Sequence, residues 1–177
     1  MKRSSKLFLF GLGVGLGFMA QDIYAQTAGL RRQLGPVVLG WLANGSSIED
    51  LVAELEAGGK RAEQQLMDRL PSEKNYKILV HVIGIERWGQ SRLNVVLGAP
   101  FTLDEYERYR PKRGQSWNEL QDTFQQTRAL TIKMAERIAE GHSGDVTVLH
   151  NEFGDLNPLQ WLVYLRNHAN IELWKMN

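Results

Sequence analysis

Apolar positions recur every three or four residues through most of this chain, the period of a helix packed on one face. Ile48, Val52, Leu55, Ala62, Leu66 and Leu70 keep that spacing. Ser46 and Ser47, with Glu49 and Asp50 three residues on, open the segment in capping-box style, and Pro71 stops it. One long helix over 47–70 is predicted, with Gly58-Gly59 as the point where it would kink. Ser72 caps a second helix, about 73–97, which ends at Gly98-Ala99-Pro100. Ile78, His81, Ile85 and Trp88 share one face of it, so His81 is expected to point inward, and Leu93 and Val96 continue the buried side. Residues 98–115 read as a loop with a brief helical turn near Thr102 and Glu105. Ser116-Trp117-Asn118-Glu119 is another capping box. Trp117, Leu120, Phe124, Thr127, Thr131, Met134 and Ile138 then form a near-heptad seam to about Glu140, with Gly141 as the C-cap. Residues 142–156 are a linker in which Val146-Thr147-Val148-Leu149 reads as extended. Asn157 as N-cap and Pro158 at the first helical position start the last helix, where Trp161, Leu165, His168 and Glu172 fall on one face. Four long helices without a repeat predict an all-α, up-and-down four-helix bundle over 46–177.

The first 45 residues follow a different pattern. Lys2, Arg3 and Lys6 precede an unbroken apolar run from Leu7 to Ala20. That run is shorter than the ~20 residues of a spanning helix, and extension to Ala25 reaches that length. Gly11/Gly15 and Gly13/Gly17 form small-xxx-small faces, which suit close helix packing in a membrane. Leu7, Phe8, Phe10, Gly11, Gly15 and Phe18 are therefore expected to contact lipid or a partner protein. The same basic-apolar-small order ending at Ala25 also fits a signal peptide that is removed. A second apolar patch, Leu34 to Ala43, contains Pro36 and an interface-type Trp41, which is added to the expected contact set. It reads as a short helix lying against a membrane or a partner, or equally as one packed on the chain's own bundle. The turn Asn44-Gly45-Ser46 divides the chain into an anchor or contact segment, 1–45, and the bundle, 46–177.

Composition narrows the chemistry. The chain has 177 residues, 43% hydrophobic and 23% charged, which suits one folded domain with a remainder. A net charge of +1 and the absence of an interleaved basic-aromatic motif argue against nucleic acid as a partner. With no cysteine, disulfides, thiolate nucleophiles and Cys-ligated metals are excluded. No phosphate-cradling loop follows a strand, and no Gly-x-Ser-x-Gly elbow is present. What remains is a small set of ligand-type side chains. His168 and Glu172, one helical turn apart, could share one divalent metal, with His81 as a third ligand. Two imidazoles and a carboxylate suit zinc, iron or nickel. The plainer alternatives are a helical hydrogen-bonded pair and a core histidine. His150, opening the turn His150-Asn151-Glu152-Phe153-Gly154, reads as a histidine that holds its turn. The basic, aromatic run Tyr106, Arg108, Tyr109, Arg110, Lys112 and Arg113 reads as solvated surface or as a lid. No catalytic residue is assigned.

The run His81-Val82-Ile83-Gly84-Ile85-Glu86-Arg87-Trp88-Gly89-Gln90 with Arg92-Leu93 resembles the second helix of the DinB-like superfamily. Trp117-Asn118-Glu119-Leu120, Phe124 and Thr127-Arg128 resemble its third helix. His150 to Glu172, with Trp161-Leu162, Tyr164-Leu165 and His168-Ala169-Asn170-Ile171-Glu172, resembles its last helix and the preceding turn. The resemblance implies a four-helix bundle and, in many members, a divalent metal held by one histidine of the second helix and two of the last. His81 and His168 stand at ligand positions, and Glu172 stands where the second histidine of the last helix is usual. Some members act as S-transferases or isomerases. Taken with residues 1–45, the expected role is a membrane-associated accessory subunit of a larger membrane complex, respiratory or photosynthetic. The bundle would lie outside the cytoplasm if the N-terminal segment spans. The alternatives are a metal-dependent transferase or isomerase, and an exported soluble protein.

Overall fold

The structure is a computed structural model that describes residues 27–141 and 146–177. Among these are five α-helices: α1 Ala28–Ala43, α2 Ile48–Met67, α3 Glu73–Val96, α4 Trp117–Gly141 and α5 Pro158–Trp174. A 3-10 turn, Tyr106–Tyr109, lies in the α3–α4 loop, and a short hairpin, β1 Val148–His150 and β2 Gly154–Leu156, precedes α5.

Local chemistry sets most helix ends. The Ser47 hydroxyl accepts from the Asp50 N–H at 3.1 Å while Asp50 accepts from the Ser47 N–H at 2.8 Å, so two orphan donors of α2 are satisfied reciprocally. Asn157 and Gln160 do the same for α5 at 2.9 Å each, with Pro158 in the first turn. The Ser72 hydroxyl caps α3 through the Asn75 N–H at 3.1 Å. α2 runs without a break through Gly58-Gly59. There the missing side chain makes room for a neighbour, since a Cβ on Gly59 would sit 3.1 Å from Cγ of Arg128 on α4.

α3 packs between α4 and α5, and α2 packs across the same two helices. Leu51 and Leu55 of α2, Leu93 of α3, Ala135 and Ile138 of α4, and Trp161, Leu162 and Leu165 of α5 form one apolar cluster. Leu66, Leu79, Ile83, Leu120 and Phe124 form a second at the other end. Trp161 is fully buried with its Nε1–H donated to the Val148 carbonyl at 3.0 Å, which ties α5 to the hairpin.

The four-helix expectation needs correction, because α1 is a fifth helix built into the fold. Leu39 and Ala43 are buried in the first cluster, and Gln160 of α5 donates to the Pro36 carbonyl at 2.8 Å. Gly35 and Gly154 mark where α1 meets the hairpin. A Cβ on Gly35 would lie 2.5 Å from the Phe153 carbonyl oxygen. One on Gly154, whose φ is +76°, would lie 2.6 Å from the Arg32 carbonyl oxygen. Only glycine allows both approaches. Pro36 sits inside α1 without ending it.

The membrane reading is corrected as well. Among the described residues no helix is long and apolar enough to cross a membrane. Leu7, Phe8, Phe10, Gly11, Gly15 and Phe18 lie outside the described residues. Trp41 is half exposed on the outer side of α1, on the same helix that packs into the fold through Leu39 and Ala43. Among the described residues nothing supports a membrane anchor, an accessory role in a membrane complex, lipid and membrane-protein partners, or a membrane location on either side.

Candidate metal centre

His81, His168 and Glu172 converge. One ligand atom from each lies within 4.8 Å of the others, close enough to chelate a divalent metal. His81 comes from α3, and His168 and Glu172 come from successive turns of α5, where the helical period puts them on one face. The two Nε2 atoms face each other at 3.2 Å. Two nitrogens held about 2.0–2.1 Å from one metal at tetrahedral or octahedral angles are about 2.9–3.4 Å apart, so that spacing fits shared coordination. Lys175 donates to Oε1 of Glu172 at 2.6 Å.

Burial favours the neutral imidazoles that a metal requires. It pushes the His81 pKa down, helped by Arg110 and Lys175, against the opposing pull of Glu172. His168 lies well below the ordinary histidine range because of burial, with His81, Lys175 and His150 adding to the effect. Unprotonated ring nitrogens are what metal ligation needs.

The cluster opens on a pocket of about 280 Å³. Ile85, Trp88, Phe153, Tyr164 and Ile171 supply apolar wall, and Glu105, Tyr106, His150, Asn151 and Glu152 supply polar edge. The Tyr106 ring stands edge-on to His81 at 5.0 Å. Tyr106 belongs to the 98–115 loop, which a buried ion pair pins in place. Arg92 donates to Asp104 Oδ1 at 2.9 Å and to the Thr102 carbonyl at 2.9 Å, and Trp88 Nε1–H donates to the same Asp104 oxygen at 3.2 Å. Burial pushes the Asp104 carboxyl up, but the bonds from Tyr109, Arg92 and Trp88 outweigh it and hold the pKa below the usual value. The loop is therefore a fixed wall of the site, while Arg108, Lys112 and Arg113 point to solvent.

His150 performs the turn-holding task the sequence suggests. Its Nδ1 accepts the backbone N–H groups of Glu152 at 3.1 Å and Phe153 at 3.2 Å. It is also packed among Trp88, Phe153, Trp161 and Tyr164, with ring centroids 4.5–4.9 Å away. Burial and the Arg92 charge push its pKa to about 3, so the ring is neutral in any ordinary buffer. Its place in the same pocket as His81 and His168 was not foreseen. Nor were the buried charges Arg92, Asp104, Glu86 and Arg128. The available signal was charged residues at core positions of a helix, which require partners.

No protein-family model, curated protein or solved structure matches this chain. The DinB-like resemblance is thereby corrected: the helical order was suggestive, but neither the helix count nor any match supports that family. What stands is a helical domain with a His/His/Glu cluster.

Proposed function

We propose that this chain is a divalent-metal-binding helical domain whose metal acts as a Lewis acid on a small molecule held in the adjacent pocket. The observation that carries this reading is the convergence of His81, His168 and Glu172 to within 4.8 Å at a pocket wall. Two neutral imidazoles and one carboxylate leave coordination positions free on zinc, iron or nickel. A metal held by these three residues would supply polarisation of a bound oxygen, or a lowered pKa for a bound water or thiol, the chemistry of transfer or hydrolysis. The chain's own contribution is to fix the ligands on two packed helices, to keep the imidazoles unprotonated by burial, and to wall the site with Tyr106, Phe153 and Tyr164. The mixed ligand set also supports a metal-dependent transferase over a purely structural site, because a closed structural site would spend all four positions on protein ligands.

Loading with zinc, nickel and ferrous iron, followed by metal analysis and calorimetry, tests the reading. One ion per chain is expected, lost in His81→Ala and weakened 10- to 100-fold in Glu172→Gln. Circular dichroism of each variant establishes that it is folded. A folded wild-type chain that retains no stoichiometric ion overturns the proposal.

A further inference from the structure

Two residues that line the pocket each carry a buried polar atom with no partner among the described residues. One atom is Nε2 of His150 and the other is Oδ1 of Asn151. Their hydrogen-bonding character is fixed by what the rest of each side chain does. Nδ1 of His150 accepts two backbone N–H groups, so it carries no proton, and the single proton of the neutral ring is on Nε2. Nε2–H is therefore a donor and not a metal ligand. Nδ2 of Asn151 donates to the Asp104 carbonyl at 2.9 Å, so the oxygen is the free end of that amide. A buried donor or acceptor left unmade costs about 1–3 kcal/mol, and a bound ligand, ion or water is one way such an atom is completed. Both residues line the pocket that the metal cluster opens on.

The remaining lining decides the class of ligand. The charged side chains of the pocket wall, apart from its histidines, are Glu105, Glu152 and Glu172, with no lysine or arginine among them. Glu152 and Glu172 are already paired with Arg31 and Lys175, and among the described residues the wall away from the metal cluster offers no free cation to an anion, so the acceptor that answers His150 is assigned to a neutral molecule. A group that accepts from His150 and donates to Asn151 carries both functions side by side. An amide has a carbonyl oxygen next to an N–H. Ile85, Trp88, Phe153 and Tyr164 supply wall for an apolar or aromatic substituent.

We propose that the pocket binds a neutral carboxamide bearing an apolar substituent, with its carbonyl oxygen on Nε2–H of His150 and its N–H on Oδ1 of Asn151. This names a ligand class for the pocket of the preceding reading; it rests on that reading for the pocket's role but uses atoms outside the metal cluster. His150 is thus a binding residue that also holds its own turn.

The test uses the full 177-residue chain, both metal-free and zinc-loaded, with benzamide as probe and acetophenone and benzoate as near-isosteres. In ¹⁵N-histidine spectra, benzamide is expected to move the His150 Nε2–H signal downfield. Its affinity is expected to exceed that of acetophenone, which lacks the N–H, and that of benzoate, which is charged, by about ten-fold each. His150→Asn keeps an acceptor for the Glu152 and Phe153 N–H groups but is too short to place its N–H at the Nε2 position, and should weaken benzamide about ten-fold. His150→Gln places an N–H near the original Nε2 and should restore most of the affinity. The proposal is overturned if the metal-free chain does not bind benzamide, or binds all three probes alike. It also fails if benzamide binding leaves the His150 signal unmoved, the N–H then resting on the face of Tyr164 or Trp88. Amide binding without zinc retention would remove the metal reading alone. Zinc retention without amide selectivity would remove this inference alone.

Discussion

Two polar clusters hang from α3 and face different neighbours. Glu86 looks towards α4, where its carboxylate meets Arg128 at 2.9 Å and the Thr131 hydroxyl at 2.8 Å, while Gln90 donates to the Thr127 carbonyl at 2.7 Å and to Thr131 at 3.0 Å. His81 looks towards α5, where it meets His168 and Glu172 at the edge of a pocket. In the first cluster charge answers charge: both ionic side chains are at least nine-tenths buried and face each other, although Glu86 Oε2 and Arg128 Nε lack a well-formed hydrogen bond. The second brings two ring nitrogens, 3.2 Å apart, and a carboxylate to one point at the edge of the pocket. One arrangement specifies how α3 and α4 register. The other is complementary to something the protein does not itself supply.

The widest separation between the two should come from Glu86→Ala. It strands the Arg128 guanidinium in the core, and loss of one partner from a buried pair costs about 3–5 kcal/mol. Urea unfolding should show that loss, while zinc stoichiometry of the folded protein is unchanged. A loss below about 1 kcal/mol would mean that water reaches Arg128 in the folded variant.

Acid should sharpen the comparison from the other side. The pKa of His150 is pushed to about 3 in the fold, and that of His168 is lowered well below its usual value, against about 6.5 in an unfolded chain. Between those limits the unfolded chain binds protons that the folded chain does not. Stability of the metal-free protein therefore falls as pH drops below about 6.5, by up to about 1.4 kcal/mol per pH unit for each histidine. At pH 5 His150 alone accounts for about 2 kcal/mol. Urea midpoints at pH 7, 6 and 5 should trace that slope, and His150→Asn should flatten it by one proton. A flat profile in the wild type would show that these rings are solvated.

The smallest effect on folding is expected where the effect on binding is greatest. His81 is only half-buried, so His81→Ala should change metal-free stability by less than about 1 kcal/mol and yet abolish metal retention. Calorimetric unfolding with and without zinc separates the two quantities. Equal destabilisation in both states would make His81 a packing residue.

Much of the fold is legible in the sequence where the determinants are local. The Ser47–Asp50 and Asn157–Gln160 boxes, Ser72 before α3, and Pro158 all sit within one turn of what they control. Helical period also places His168 and Glu172 on one face. The docking of α1 is different, because it depends on Gly35 reaching Phe153, more than a hundred residues away, and an apolar stripe with Trp41 looks the same whether it meets a protein core or a lipid. Gly141, read as a cap, is the last residue of α4, and the helical turn expected near Thr102 forms at Tyr106–Tyr109. His150 shows the limit most clearly. Its turn-holding bond is local and readable, whereas its neighbours Trp88 and Tyr164 come from two other elements.

The contact of α1 with the hairpin turn has a practical bearing on where the chain can be cut. Arg31 holds Glu152 at 2.9 Å, and Gly35 lies against Phe153; both partners are pocket wall. A fragment begun at the Asn44-Gly45-Ser46 turn would keep every metal ligand and all four longer helices, yet it would lack the buttress behind one side of the binding site. Such a fragment would suit metal analysis but mislead a ligand screen, and a faithful minimal chain starts ahead of Arg31.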